Sequence, residues 1–228
     1  MAAPIIEFRH LSKSYWEADQ EHAVLDDVNG EVYEGEFIVL LGKSGSGKST
    51  LLNLISGIDA PSRGDILVDG QSLTGMSEDE RTLFRRRHIG FVFQSFNLIP
   101  TLTVRDNLLL PLELTGRLDD GNRTDLENML EELDMAHRID YYPDKLSTGE
   151  QQRIAIARAL IHNPSIILAD EPTGNLDHDT GQDVLNLLDQ LVRRSGKTMI
   201  MVTHSREVIG LADRLMTIRE CRLEESNC

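Results

Sequence analysis

The sequence is poor in positive charge and in cysteine. It contains 23 lysines and arginines against 38 aspartates and glutamates, which gives a formal net charge of −15. Because phosphate backbones attract basic surfaces, this balance argues against a nucleic-acid-binding protein. The two cysteines, Cys221 and Cys228, both lie near one end of the chain. This placement predicts no disulfide framework and favours a reducing compartment, the cytosol.

The sequence also lacks a long hydrophobic run. No segment approaches the ~20 apolar residues that cross a bilayer, and residues 1–4 lack the features of a signal peptide. We therefore expect a cytoplasmic protein that acts at a membrane only as a peripheral subunit on its inner face. The length of 228 residues and the hydrophobic fraction of 40% suit one large α/β domain.

One glycine-rich segment carries a specific motif. Residues 42–49 read GKSGSGKS and directly follow the apolar run 37–41. This matches G-x-x-x-x-G-K-[ST], the phosphate-binding loop between a strand and a helix. The three glycines allow a tight bend that turns backbone N–H groups toward one anion, and the helix beginning near Lys48 adds its positive end.

Two side chains of this loop are predicted to act on the bound phosphates. Lys48 is expected to reach the β- and γ-phosphates, and the Ser49 hydroxyl to hold Mg²⁺. The alternative is a glycine-rich turn without a ligand. It is the weaker interpretation because Gly47, Lys48 and Ser49 all stand in register with the motif.

Apolar runs and turn residues predict the strands. Short mixed strands are expected at 5–10 and 27–33, and the Asp69-Gly70 turn pair follows a strand at 65–68. The other predicted strands cover residues 37–41, 89–93, 166–169, 198–203 and 214–219. The continuous apolar run at 166–169 is typical of a central parallel strand, so these patterns favour an α/β fold.

Helical patterns fill the spaces between the strands. Residues 77–80 form a capping box that opens a charged helix, and 184–192 form an amphipathic crossover helix. Residues 101–145 read as helical throughout, and one helix face carries Leu126, Met129, Leu130 and Leu133. We interpret this stretch as a helical lobe inserted into an α/β core.

Acidic residues end the predicted strand at 166–169, which is the ligand-binding edge of an α/β sheet. Asp170 is expected to hold Mg²⁺ through its water shell, and Glu171 to polarise the attacking water as general base. The alternative, an acidic loop without a function, is weaker beside a phosphate-binding loop.

Two further polar residues follow strands in the same way. His204 can hydrogen-bond a γ-phosphate or position the water, although a lone histidine is usually a surface group. Gln94 can offer its carbonyl to Mg²⁺ and its amide to water, although taken alone it favours a structural role. Residues 146–152 precede a helix that Ser147 can cap, and the free N–H groups there make an anion site.

Together these segments resemble one family, the nucleotide-binding subunits of ATP-binding cassette (ABC) transporters, over about residues 5–219. The most specific pieces are LSTGEQQRIAIARAL at 146–160 and IILADEPTGNLD at 166–177. The GNLD wording at 174–177 and FVFQSFNLIP at 91–100 resemble the lipoprotein-releasing and macrolide-exporting branch. The cell-division ATPase is a close cousin with related motifs.

The resemblance implies a role for each matching residue. Tyr15 would stack on adenine, with Trp16 as the rival; Gln94 would sense Mg²⁺; Glu171 and His204 would complete hydrolysis. Ser147 and Gly149 would contact the γ-phosphate bound to a partner copy, and Asp177 would touch that copy. The residues that would wrap the phosphates are Gly42, Lys43, Ser44, Gly45, Ser46, Gly47, Lys48, Ser49 and Thr50.

The resemblance also implies an architecture and partners. It implies an α/β P-loop NTPase core with an inserted α-helical subdomain and an antiparallel β subdomain, together one domain over 1–228. The core and β subdomain would occupy 1–94 and 146–228, and the helical subdomain 95–145. ATP and Mg²⁺ would be the ligands, and the partners a second copy of the chain and an integral membrane permease.

Other functions stay open at this point. The motifs barely separate a transporter subunit from a force-transmitting ATPase of the cell-division type. A DNA-repair type ABC ATPase needs long coiled coils, for which the stretch between Gln94 and Ser147 is too short. A nucleotide-binding module without catalysis is disfavoured by Glu171 and His204. The sequence does not identify the transported molecule.

The chain departs from the family pattern at Thr148, where glycine is expected. If that position required a positive φ, a β-branched residue would cost roughly 1–2 kcal/mol. The alternative is that the backbone N–H keeps its direction and only the side chain is new.

Beside Gln94, the apolar Phe96, Leu98 and Ile99 could receive a short helix of the permease or pack the helical lobe.

Overall fold

The computed structural model describes residues 3–17, 20–205 and 207–226, and Cys228 lies outside them. The chain forms two compact units: Met1–Arg85 with Gly196–Cys228 is the first, and Arg86–Ser195 is the second. The strands are β1 (Ile6–Glu17), β2 (Gln20–Val32), β3 (Phe37–Leu41), β4 (Arg63–Val68), β5 (Gln71–Ser72), β6 (Ile89–Phe93), β7 (Ile166–Asp170), β8 (Thr198–Thr203), β9 (Arg214–Arg219) and β10 (Arg222–Ser226).

The helices are α1 (Lys48–Ile55), α2 (Glu78–His88), α3 (Val104–Thr115), α4 (Asp120–Glu132), α5 (Thr148–Leu160) and α6 (His178–Arg194). Short 3₁₀ helices lie at Ala136–Arg138, Pro143–Lys145 and Glu207–Leu211. The predicted mixed α/β class is therefore confirmed. Among the residues that the structure describes, no helix is long and apolar enough to span a bilayer.

The first unit contains an antiparallel sheet in the order β2-β1-β4-β5. Its first two strands are longer than the predicted 5–10 and 27–33, because the ladder continues through polar pairs such as Tyr15↔His22. Register shifts between Phe8 and Ser14 break the alternation of buried and exposed side chains. The period-2 signal therefore disappears from the sequence although the strand continues.

The first unit also contains a mainly parallel sheet in the order β10-β9-β3-β8. The central β3 pairs in parallel with β8 and with β9, and its residues 37–40 are buried. This burial explains the continuous apolar run. The edge strand β10 pairs antiparallel with β9 and was not predicted, because its residues are mainly polar.

In the second unit, β6 and β7 pair in parallel and are accompanied by helices α3 to α6. The predicted face of α4 is confirmed: Leu126 and Leu130 are buried, as is Leu133 just beyond the helix, and Met129 is half-buried. Helix α6 buries one stripe of its surface, made of Val184, Leu185, Leu188, Leu191 and Val192. The helical character of 101–145 thus results from apolar faces at helical spacing.

Candidate functional site

The glycine-rich loop joins β3 to α1 in the first unit. Gly45 and Gly47 have φ angles of 77° and 97°, a region that side chains disfavour. A Cβ on Gly47 would also lie 2.8 Å from Val24 Cγ1 and 3.1 Å from the Val24 carbonyl oxygen. Gly47 is therefore required both for its backbone angle and for the space that a side chain would occupy.

The interior of this loop carries an unsatisfied hydroxyl. A Cβ on Gly42 would lie 2.8 Å from Ser46 Oγ, so the loop closes tightly on itself. Ser46 Oγ is buried and has no hydrogen-bond partner among the residues that the structure describes. A buried polar atom without a hydrogen-bond partner destabilises the folded state, and a hydrogen bond to a phosphate oxygen would remove that cost. This orphaned hydroxyl fits a phosphate ligand.

Lys48 is held inside the loop by the backbone. Its side chain is 5% exposed, and Nζ donates to the carbonyl oxygens of Gly42 at 2.9 Å and Lys43 at 2.8 Å. An ammonium group has three donors, and these contacts fix its position at the N-terminus of α1. Ser49 is exposed and Thr50 half-buried at the start of the same helix. The sequence-predicted phosphate cradle is thus assembled locally.

His204 lies at the same edge of the sheet as this loop. Thr203 at the end of β8 pairs with Leu41 at the end of β3, and the chain continues from them into His204 and Gly42 respectively. Because the strands are parallel, both segments leave the sheet on one side. The structure therefore brings exposed His204 to the edge where the glycine-rich loop begins.

Tyr15 and Trp16 differ in how firmly they are held. Trp16 is 74% exposed, whereas Tyr15 is 37% exposed and its hydroxyl donates to Asp59 Oδ2 at 2.8 Å. Burial, followed by the hydrogen bond to Asp59, raises the pKa of Tyr15, while a hydrogen bond with Thr50 lowers it. Tyr15 is therefore the aromatic residue that touches the phosphate-loop helix.

In the second unit, Gln94 and Glu171 leave the sheet side by side. Phe93 at the end of β6 pairs with Asp170 at the end of β7, so the next residue of each strand lies at one edge. Glu171 has a φ of 45°, a conformation that costs a non-glycine residue about 1–2 kcal/mol. Nine other described non-glycine residues also have a positive φ, so this strain supports a functional role for Glu171 only together with its place at the end of β7.

The loop after Glu171 holds Gln94. A Cβ on Gly174 would lie 2.6 Å from Gln94 Nε2, so the amide lies directly over this glycine. Asn175 Nδ2 also donates to the backbone carbonyl oxygen of Gln94 at 2.9 Å. The sequence reasoning missed Asn175, because its partner is 81 residues away and no local pattern connects the two.

The start of α5 is capped as predicted. Ser147 N donates to Glu150 Oε2 at 2.7 Å, and Glu150 N donates to Ser147 Oγ at 3.2 Å, which completes a capping box. Thr148 is the first residue of the helix and is not among the residues with positive φ. The strained alternative for Thr148 is therefore wrong, because a helical first turn accepts a threonine at this position.

Glu150 introduces a carboxylate at this predicted anion site, and Arg138 offsets it. Arg138 Nε donates to Glu150 Oε1 at 2.9 Å, and its guanidinium lies 4.9 Å from the Tyr141 ring centroid. The backbone hydrogen bond from Ser147 lowers the pKa of Glu150, as does Arg138, against an opposing effect of burial. Arg138 was not predicted, because its partner lies on the other side of a 3₁₀ turn.

Asp177 has a structural role that the sequence analysis did not assign. It is the N-cap of α6, and its Oδ1 accepts from Thr180 N at 3.0 Å. A hydrogen bond with the Thr180 side chain, followed by this backbone hydrogen bond, lowers the pKa of Asp177. Gly149 packs against the same helix turn, since a Cβ there would lie 2.7 Å from Thr180 Cγ2. The beginnings of α5 and α6 therefore fit together through a glycine and a capped threonine.

Comparisons with a family model and with known proteins all match ABC transporter ATP-binding proteins. A family model described as ABC transporter matches residues 25–174. An uncharacterized ABC transporter ATP-binding protein of Mycobacterium tuberculosis is 52% identical over 220 residues, 96% of this chain and 89% of that protein. The macrolide export ATP-binding/permease protein MacB of Brucella abortus is 43% identical over 218 residues, 96% of this chain but 34% of MacB.

A solved structure is similar over nearly the whole chain. The ATP-binding cassette MJ0796, in a dimeric post-hydrolysis state bound to ADP and Pi, superimposes with a TM-score of 0.88. It is 38% identical, and the match covers 97% of this chain and 98% of that one.

Proposed function

Since this chain belongs to the ABC transporter family of ATP-binding proteins, we propose that it hydrolyses ATP as a homodimer that drives a separate membrane permease. The observation that carries this proposal is the phosphate cradle. Buried Lys48 is fixed on two loop carbonyls, and the nearby Ser46 hydroxyl has no hydrogen-bond partner in the part of the chain that the structure describes. A cation and open hydrogen-bonding capacity at a helix N-terminus suit a bound polyphosphate.

The residues of this chain divide the work of hydrolysis. The loop backbone and Lys48 bind the phosphates and neutralise charge that develops on the transferring group. Glu171 accepts the proton of the attacking water, and His204 hydrogen-bonds the γ-phosphate. Ser49, Gln94 and Asp170 would hold Mg²⁺, which supplies further neutralisation of phosphate charge. Tyr15 would bind the base.

The start of α5 would serve the nucleotide of the partner copy. The first N–H groups of a helix have no acceptor within the helix, and here Thr148 and Gly149 follow the cap. Arg138 offsets the charge of Glu150, so that this end can face an anion. The dimeric state of MJ0796 supports the same arrangement for two copies of this chain, with Asp177 at the contact.

The permease is proposed to be of the lipoprotein-releasing or macrolide-exporting type. The similarity to MacB supports this, as does the sequence motif FVFQSFNLIP at residues 91–100. Arg158 donates to the carbonyl oxygens of Phe96 at 2.8 Å and Asn97 at 2.6 Å, which shapes the loop after Gln94. Phe96, Leu98 and Ile99 there are half-buried and would receive a short permease helix at the inner face of the membrane.

The test is the Glu171→Gln variant, compared with the wild type and with Glu113→Gln, which removes an exposed carboxylate on α3. Loss of a general base is expected to reduce ATP turnover by at least about a hundredfold. ATP binding should persist, and a dimer should accumulate in size-exclusion chromatography with light scattering. Turnover that stays at the Glu113→Gln level in the Glu171→Gln protein would remove Glu171 from this role.

The same variant identifies the partner. With ATP present, the trapped dimer should be recovered from membranes together with its permease. A permease that exports a compound whose addition stimulates ATP turnover supports a transporter. A captured protein that transports nothing and links to the cell-division machinery would instead support the force-transmitting alternative.

A further inference from the structure

The side chains of Tyr15, Asp59 and Lys13 form one network. The Tyr15 hydroxyl donates to Asp59 Oδ2 at 2.8 Å, and Lys13 Nζ donates to Asp59 Oδ1 at 2.6 Å. Lys13 Nζ also lies 4.8 Å from the centroid of the Tyr15 ring. One carboxylate therefore binds the edge of the ring and the cation that covers one of its faces.

Asp59 is itself held by the backbone. Ala60 N donates to Asp59 Oδ1 at 2.7 Å, and Asp59 N donates to the Asn53 carbonyl oxygen at 3.2 Å. Lys13 Nζ makes a further bond to the Ala60 carbonyl oxygen at 2.8 Å. Asn53 belongs to α1, the helix that begins at the phosphate loop. The network thus ties the ring on β1 to the far end of that helix.

The network is partly shielded from water. The Lys13 side chain is 11% exposed and that of Asp59 is 29% exposed. Burial acts to raise the pKa of Asp59, but the hydrogen bonds from Lys13, Tyr15 and Ala60 outweigh it and lower the pKa. The carboxylate is therefore charged at neutral pH, and charge-assisted hydrogen bonds of this kind are stronger than neutral ones.

We propose that Asp59 and Lys13 are positioning residues that fix the Tyr15 ring as a one-sided platform for the nucleotide base. Lys13 covers one face of the ring, so the base stacks on the opposite face. This inference rests on the proposed ATP binding and adds the residues that orient the base. It also explains the choice of Tyr15 over Trp16, because successive side chains of a strand point to opposite faces.

The expected change in nucleotide affinity follows from the single conformation in which the network holds the Tyr15 side chain. An unanchored tyrosine must give up rotamer freedom when the base binds, which corresponds to about a threefold to tenfold loss of affinity. Binding of the phosphates should not change, because Lys48 is held by the backbone carbonyls of Gly42 and Lys43 and not by this network. The network should therefore affect binding only of ligands that carry a base.

The test compares Mg-ADP with Mg-pyrophosphate, which lacks the base, for the wild type and for Asp59→Asn, Lys13→Met and Tyr15→Phe. Glu34→Gln, which alters an exposed carboxylate in the turn before β3, is the control. Binding can be followed by calorimetry and by the fluorescence of Trp16, the single tryptophan of the chain. In steady-state assays the variants should raise KM for ATP rather than lower kcat.

Each network variant is expected to weaken ADP about threefold to tenfold while pyrophosphate affinity stays at the wild-type value. Equal weakening of both ligands, or unchanged ADP affinity, would overturn the proposal. If Asp59→Asn fails to fold, Tyr15→Phe decides, because it removes only the hydroxyl group, with its hydrogen bonds to Asp59 and Thr50. A wild-type protein that binds neither ADP nor ATP would instead contradict the proposed function itself.

Discussion

Replacement of Gly149 by alanine separates the packing of the α5 start from its proposed function. The added Cβ would lie 2.7 Å from Thr180 Cγ2, whereas carbon atoms in good contact lie about 3.5–4.0 Å apart. The methyl group of Thr180 stands on a short, stiff side chain at the capped start of α6, so it cannot simply swing away. The two helix starts must move apart or distort.

The expected cost follows from two opposing effects. Overpacking of a buried position costs about 1–3 kcal/mol, whereas alanine is favoured over glycine in a helix by up to about 1 kcal/mol. The net destabilisation should be about 0.5–2 kcal/mol. For a chain of this length, that corresponds to a fall in Tm of about 1–8 °C.

Thr180→Ser provides the matched suppressor. It removes the methyl group that the new Cβ would meet, but keeps the backbone N–H that Asp177 accepts. The double variant should therefore recover most of the lost Tm in thermal denaturation. ATP turnover should stay at least about tenfold below wild type in both the single and the double variant, since a methyl group on residue 149 would hinder the close approach of the partner's γ-phosphate to the backbone N–H there.

Two outcomes would refute this reasoning. A Gly149→Ala protein as stable as the wild type would show that the contact with Thr180 does not limit packing. Turnover that returns together with Tm in the double variant would show that Gly149 serves only to fit α5 against α6. The Thr180→Ser single variant, measured beside them, corrects for any effect of that substitution alone.

Two further predictions concern the same helix starts. Thr148→Gly should change ATP turnover less than about tenfold, because the threonine already has a helical backbone; a larger loss in steady-state assays would show that its hydroxyl participates. Because hydrogen bonds lower the folded pKa values of Glu150 and Asp177, their stabilisation is present above the unfolded pKa, near 4, and is lost as pH falls through the folded pKa. Urea denaturation should show this loss, and a Glu150→Gln/Asp177→Asn protein should show a flatter profile.

The features that sequence alone predicted depend on neighbours close in the chain. The glycine-rich loop at 42–49, the helix cap at Ser147 and the buried strand at 37–41 each follow from residues within a few positions of one another. Their backbone geometry is set by glycine, by a polar cap or by apolar runs. These features therefore appear in the structure where the pattern placed them.

The features that escaped prediction depend on distant residues. Asp59 lies 44 residues from Tyr15, and Gln94 lies 81 residues from Asn175. Such contacts are set by the packing of whole strands and leave no periodic signal. The true length of β1 was hidden for a different reason, since its register shifts remove the alternation on which strand prediction depends.

The left-handed backbone of Glu171 has a consequence for how this chain could be engineered. Glycine and asparagine adopt that conformation more readily than glutamate, so the residue best for folding is not the one that we propose for proton transfer. A laboratory selection for heat resistance alone would favour replacing Glu171, and the selected variants are expected to be more stable but to lack the proposed general base of ATP hydrolysis. Any stabilised version of this chain should therefore be selected for heat tolerance and turnover together.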